Sequence, residues 1–177
     1  MPMNLVIEYL KFFLKSSNQH GVHSPFVYDF VTKCLYKKIA PNVWHSFLKV
    51  RRQLLNNKTT ILVTDFGAGS TIFKSNKRKV SKITSIAGIS IKKAKLIILL
   101  VNYFQPKNVL EIGTSIGLGT SAIKIGNKNS KTITLEGCPE TSKIACNLFQ
   151  KNNFKNIDLI TGDFNETLPK ITRKNKF

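Results

Sequence analysis

The sequence predicts an α/β chain: a partial parallel sheet of about three strands with flanking helices, preceded by a helical N-terminal extension. Three observations predict it. After Pro106, short β-rich apolar runs alternate with segments of helical period. The run 109–112 carries Glu111 and passes straight into Gly113-Thr114-Ser115-Ile116-Gly117-Leu118-Gly119, a glycine loop that opens a helix. Residues 1–57, in contrast, read as a small helical section.

The elements follow in order. Residues 4–16 form an amphipathic helix with Leu5, Tyr9, Phe12 and Phe13 on one stripe. Residues 18–24 form a loop. Ser24-Pro25 supplies an N-cap and a first-turn proline to a second helix, which runs through Phe26, Val27, Phe30, Val31 and Leu35 until Pro41 breaks it. Trp44, Phe47, Leu48 and Leu55 mark a third helix to about residue 56. These make a helical section over 1–57. Segment 58–105 is a connector. It holds a β-rich run at 60–63, the turn Asp65-Phe66-Gly67-Ala68-Gly69-Ser70, and a basic stretch with Lys74, Lys77, Arg78, Lys79 and Lys82. Ser90 then caps a helix through Ala94, 96–101 and Phe104, which Pro106 ends. Residues 106–177 form the half domain: strand 108–112, helix 117–126, strand 131–136, helix 139–151, strand 157–161 and helix 164–171. Alternating strands and helices imply a parallel sheet with right-handed crossovers.

The net charge of +19 is distributed as about +7 over 1–60, +8 over 61–110 and +4 over 111–177. Such a charge attracts polyanions, whether nucleic acid or an anionic membrane surface. Lysine outnumbers arginine 24 to 4, however, whereas readers of specific nucleic-acid sites lean on arginine. Compositional bias therefore accounts for the charge at least as well, and weak polyanion binding is the expectation. Cys34, Cys138 and Cys146 are odd in number and lack a close metal-ligand spacing, so a reducing cytoplasm is the expected setting. The apolar N-terminal segment contains Glu8 and Lys11 and lacks a leader pattern. The longest uninterrupted apolar run, 96–101, is far shorter than the ~20 residues that span a bilayer.

Two acid-glycine segments compete for a ligand. The glycines after Glu111 lead into a good helix, whereas those after Asp65 lead into the basic stretch, so Asp65-Phe66-Gly67 reads as a surface turn or a loop near the site. The spacing G-x-x-x-G-x-G departs from the dinucleotide pattern and counts against a pyrophosphate on the helix N-terminus. A carboxylate at Glu111 repels phosphate but attracts an amino group or a sulfonium. Twenty-five residues on, the run 133–135 ends in Glu136, placed to accept from ribose hydroxyls. Two plainer fates compete: a solvated strand end for Glu136, and for Asp163 a helix N-cap with Glu166 at the capping-box position. His20 and His23 have no evident third ligand, so no metal site is expected. Cys138 follows Glu136 closely enough to line the same pocket, but no base partner for it is evident.

Glu111-Ile112-Gly113-Thr114-Ser115-Ile116-Gly117, Thr134-Leu135-Glu136-Gly137 and Leu159-Ile160-Thr161-Gly162-Asp163-Phe164 resemble the first three signature motifs of class I S-adenosylmethionine-dependent methyltransferases. They look closest to the small O-methyltransferase-like branch related to catechol O-methyltransferase, over about residues 106–170. The stretch from His20 to Asp29 and the Asp65 turn resemble the N-terminal extension of a bacterial subgroup of these enzymes. The resemblance implies a Rossmann-like sheet, S-adenosylmethionine as cofactor and a small-molecule methyl acceptor that these residues do not identify. It implies that Glu111 and the backbone of Gly113, Thr114 and Ser115 hold the methionine part, while Gly117 allows close helix approach. Glu136 would take both ribose hydroxyls, Gly137 would lie against the adenine edge, and Asp163 would accept from the adenine amino group with Phe164 nearby.

Family members continue the sheet beyond three strands and draw most of their acceptor pocket from that continuation. The expectation is therefore a C-terminally shortened chain, with the cofactor half alone and weak or no turnover. Strand 108–112 would then have an open side prone to association. Two other classes remain compatible. One is a basic nucleic-acid-binding module, or an RNA-directed methyltransferase, using lysines of 74–95 including Lys92, Lys93 and Lys95. The other is a non-catalytic remnant whose N-terminal helices pack on a partner.

Overall fold

The computed structural model describes residues 3–16, 21, 23–64 and 75–177. His20, the Asp65–Ser70 turn and Lys74 lie outside the described residues. The chain divides into two compact units, Met1–Lys38 and Ile39–Phe177.

The first unit holds α1 (Met3–Lys15) and α2 (Pro25–Asp29), the latter continuing as a π-helical stretch, Phe30–Leu35. Ser24 caps α2 as its sequence position requires: its hydroxyl accepts from the Val27 amide at 3.4 Å, and Pro25 opens the first turn. Where the sequence predicts one regular helix, the backbone widens after Asp29. The Thr32 hydroxyl donates to the Tyr28 carbonyl at 2.7 Å there, the kind of side-chain bond that competes with the regular ladder.

The second unit opens with α3 (Pro41–Leu55). Pro41 both stops the preceding segment and starts α3, since its missing amide costs nothing at a first helical position. Phe47, Val50 and Leu54 recur three and four residues apart and are fully buried. They join Ile98, Leu118, Ala122 and Leu148 in one core cluster. The second compact unit begins at Ile39, and the apolar stripe of α3 packs into its core.

β1 (Thr60–Leu62) pairs antiparallel with β2 (Lys77–Lys79), then α4 (Val80–Lys82) runs into a π-helical turn, Ile83–Ala87. β2 has no counterpart in the sequence reading, because Lys-Arg-Lys shows no alternation of apolar and polar residues. α5 (Ile91–Phe104) is capped by Ser90, whose hydroxyl accepts from the Lys93 amide at 3.3 Å. It ends at Gln105 in the left-handed region, one residue before Pro106.

The parallel sheet consists of β3 (Asn108–Ile112), β4 (Lys131–Glu136) and β5 (Ile157–Thr161), in the order β3-β4-β5. α6 (Leu118–Gly126), α7 (Pro139–Lys151) and α8 (Phe164–Lys174) follow the strands in turn. The expected boundaries hold within a residue, except that α8 runs past Pro169 to Lys174 instead of ending at 171. Both crossovers step the same way across the sheet, so right-handed connections put α6 and α7 on one face. The register pairs Glu111 with Thr134 and Glu136 with Thr161. With a side-chain period of two, Glu111, Thr134 and Glu136 therefore share the α6–α7 face. Central β4 is buried, while β3 and β5 are partly exposed. Among the described residues no helix is long and apolar enough to cross a membrane.

Candidate functional site

The three loops that leave the sheet at its C-terminal ends surround a cavity of about 500 Å³. Gly113 and Ser115 come from the loop after β3, Glu136 and Gly137 from the end of β4, and Asp163 and Phe164 from the start of α8. Parallel α/β sheets present ligand sites at this edge because the loops there are free of the strand ladder.

The glycine loop is built on backbone conformations that few side chains adopt. Gly113 and Gly117 have φ of 93° and 85°, and Ser115 sits at φ 50°. The loop crosses the end of β4, so the amides of Gly113 and Thr114 both donate to the Leu135 carbonyl, at 2.8 and 3.0 Å. The unusual φ at Ser115 turns its amide onto a Glu136 carboxylate oxygen at 2.5 Å, and the other oxygen accepts from the Cys138 amide at 3.0 Å. The amides expected to face a ligand are thus closed on the protein itself. Glu136 is no freely solvated strand end: two backbone donors fix its carboxylate at the cavity wall.

Glu111 is placed differently. Its carboxylate oxygen accepts from the hydroxyls of Thr120, at 2.5 Å, and Thr134, at 2.7 Å. Since Thr134 gives its proton to Glu111, the 2.6 Å contact between Thr114 and Thr134 makes Thr114 the donor. A short hydroxyl chain therefore runs from the loop through β4 to the acid. Burial pushes the Glu111 carboxyl above the ordinary carboxylate range; the two threonine bonds oppose this, and the nearby Glu136 charge adds to it. Gly119 exists to make room: a Cβ there would stand 2.5 Å from a Glu111 oxygen. At Gly117 a Cβ would meet the Phe149 ring at 2.7 Å, so this glycine seats the loop on α7.

Six of the nine residues singled out from the sequence, Gly113, Ser115, Glu136, Gly137, Asp163 and Phe164, line the cavity together. Glu111, Thr114 and Gly117 stand behind its wall, holding the loop. Asp163 also performs the capping role: it accepts from the Asn165 amide at 2.7 Å at the start of α8. Cys138 is buried behind the lining, where its sulfur accepts from the Thr64 amide at 3.3 Å. Burial pushes this thiol up, but the amides of Thr141, Thr64 and Glu140 and the Thr141 hydroxyl outweigh it and leave its pKa lowered.

Val63, Thr64, Thr141 and Asn165 also line the cavity and escaped the sequence reading. The first two arrive because β1 ends beside Cys138. The Asp65 turn next in sequence, read as a surface turn or a loop near the site, was the available signal for them. Among the described residues no group of three His, Cys, Asp or Glu side chains could hold a metal ion.

The sequence model of the family described as O-methyltransferase matches residues 46–177. Among solved structures, the chain is similar to an SAH-bound methyltransferase of Podospora anserina at 16% identity, covering 96% of this chain and 54% of that one, with a TM-score of 0.50. An O-methyltransferase from Bacillus cereus in complex with SAH is 21% identical over 84% of this chain and 55% of that one, at a TM-score of 0.48. The O-methyltransferase TomG from Streptomyces achromogenes, involved in tomaymycin synthesis and solved with SAM, is 16% identical over 91% and 59%, at 0.47. The chain spans about half the length of these structures. Among curated proteins none matches.

Proposed function

The chain belongs to the O-methyltransferase family, and from that premise we propose that its C-terminal unit binds S-adenosylmethionine for methyl transfer to a hydroxyl of a small molecule. The observation that carries the reading is the convergence of the glycine loop, Glu136 and Asp163-Phe164 on one cavity at the C-terminal edge of a parallel sheet. The volume of about 500 Å³ lies in the range of small-molecule sites. Its chemistry also fits: Glu136 is an acceptor held rigidly by two amides, which suits it to a pair of vicinal hydroxyls.

In this reading Glu136 takes the ribose hydroxyls, Gly137 leaves room for the purine edge, and Asp163 and Phe164 receive the base. Gly113 and Ser115 bound the methionine part, with loop carbonyls as acceptors for its amino group. Glu111, Thr114 and Gly117 are positioning residues that hold the loop. When bound, the cofactor supplies an electrophilic methyl on a sulfonium. The chain's own contribution is to orient that group and shield it from water. The free cysteines support a reducing cytoplasmic setting. The outer side of β3 is assigned to association with further polypeptide, and the overall charge to weak polyanion contact.

Calorimetric titration of the full chain with S-adenosylmethionine tests the reading. Binding is expected, and Glu136→Ala should weaken it about 10- to 100-fold, the worth of one or two charge-assisted hydrogen bonds. Absence of heat with the wild-type chain, or equal affinity in Glu136→Ala, would overturn it.

A further inference from the structure

The opposite end of the sheet holds a second concavity. A cavity of about 400 Å³ lies between α3, the end of α6 and the turn after α7, lined among others by Lys49, Lys124, Lys128, Asn152 and Phe154. An adjoining cavity of about 270 Å³ shares Lys124, Lys128 and Phe154 and adds Lys155. Among the described residues lining either space none is acidic. From the start of β4 to Glu136 is roughly 16 Å at the usual rise per residue, so this region is distinct from the cavity above.

Lys124 sets this cluster apart from the chain's many solvated lysines. It is 2% exposed. Its amine donates to the Ser130 carbonyl at 2.5 Å and contacts the Ser130 hydroxyl at 3.4 Å, both neutral oxygens. Burying an ammonium against neutral acceptors is costly, and the lowered pKa of Lys124 has that burial as its cause. An anion drawn into the cavity would offset the cost, and the exposed Lys49 and Lys128 at its rim would complete the charge.

We propose that the paired cavities bind the phosphate group of a small phosphorylated molecule, through Lys49, Lys124 and Lys128 with Lys155 alongside. Lysines are point charges with rotatable donors, which suits a tetrahedral oxyanion better than a planar carboxylate. Concavities of this size fit a small molecule, whereas a nucleic-acid backbone follows an extended groove. Phe154 offers an apolar surface for the remainder of the ligand.

The test titrates the full chain with inorganic phosphate at fixed ionic strength, followed by backbone amide NMR shifts of residues 124–130 and 152–156. Saturable binding is expected. Lys49→Gln with Lys128→Gln should weaken it about tenfold or more, and Lys92→Gln with Lys93→Gln on α5 should leave it within about twofold. All four lysines are exposed, so both double variants should melt as the wild type does. A response that does not saturate, or one equally affected or equally unaffected by the two pairs, overturns the proposal. So does a short RNA that binds in a Lys49- and Lys128-dependent way while phosphate does not.

Discussion

Burial raises the pKa of Glu111 from its ordinary 4.5, against the pull of two threonine hydroxyls and with the help of the Glu136 charge. The sign of the consequence follows from linkage. An acid whose folded pKa is raised binds its proton more tightly in the native state, so its contribution is complete below the unfolded pKa. That contribution is lost as pH rises from about 4.5 through the raised value. Glu111→Gln keeps an acceptor for Thr120 and Thr134 but cannot ionise. The stability difference between Glu111→Gln and wild type should therefore shift in favour of the variant as pH rises from about 4.5 toward neutrality. Thermal melts across that range measure it; a pH-independent difference would show that Glu111 carries no such penalty. Titrating groups that do not interact with Glu111 are common to both proteins and cancel.

Among the elements, β3 has the least settled surroundings. It pairs with β4 on one side, and among the described residues no strand pairs with its other side. Ile112 at its end is 54% exposed. A strand edge with an apolar residue is a template for a further strand. Sedimentation of the wild-type chain should show mass rising with concentration, and Ile112→Lys should weaken that association about tenfold, the worth of one buried isoleucine. Concentration-independent mass in the wild type would remove the edge as an association site. Two helix starts are better determined: their caps, Ser90 on α5 and Asp163 on α8, sit at the positions that the residue types indicate.

The charge of +19 belongs to the chain as a unit. Basic residues occur on elements from the start of the chain to its end and in the loops between. A charge spread in this manner gives non-specific attraction that counterions screen. A short RNA should bind at low salt and be released near physiological ionic strength, as filter binding over a salt series would record. Micromolar affinity persisting there would restore a dedicated nucleic-acid surface.

The course of the half domain was legible in the residues because period, caps and prolines are local signals: β3 to α7 stand where alternation puts them. The acids at the strand ends were legible for the same reason. What the residues could not disclose is which atoms meet. Both Glu111 and Glu136 close strands beside glycines, yet folding sends one carboxylate under the loop to Thr120 and Thr134 and the other to the cavity wall. The basic β2, the seating of α3 in the main core and the burial of Lys124 likewise depend on partners far along the chain. Such outcomes are set by packing between distant segments, where the cost of leaving a polar group unpaired or a stripe uncovered selects one arrangement, and no short window of sequence contains that cost.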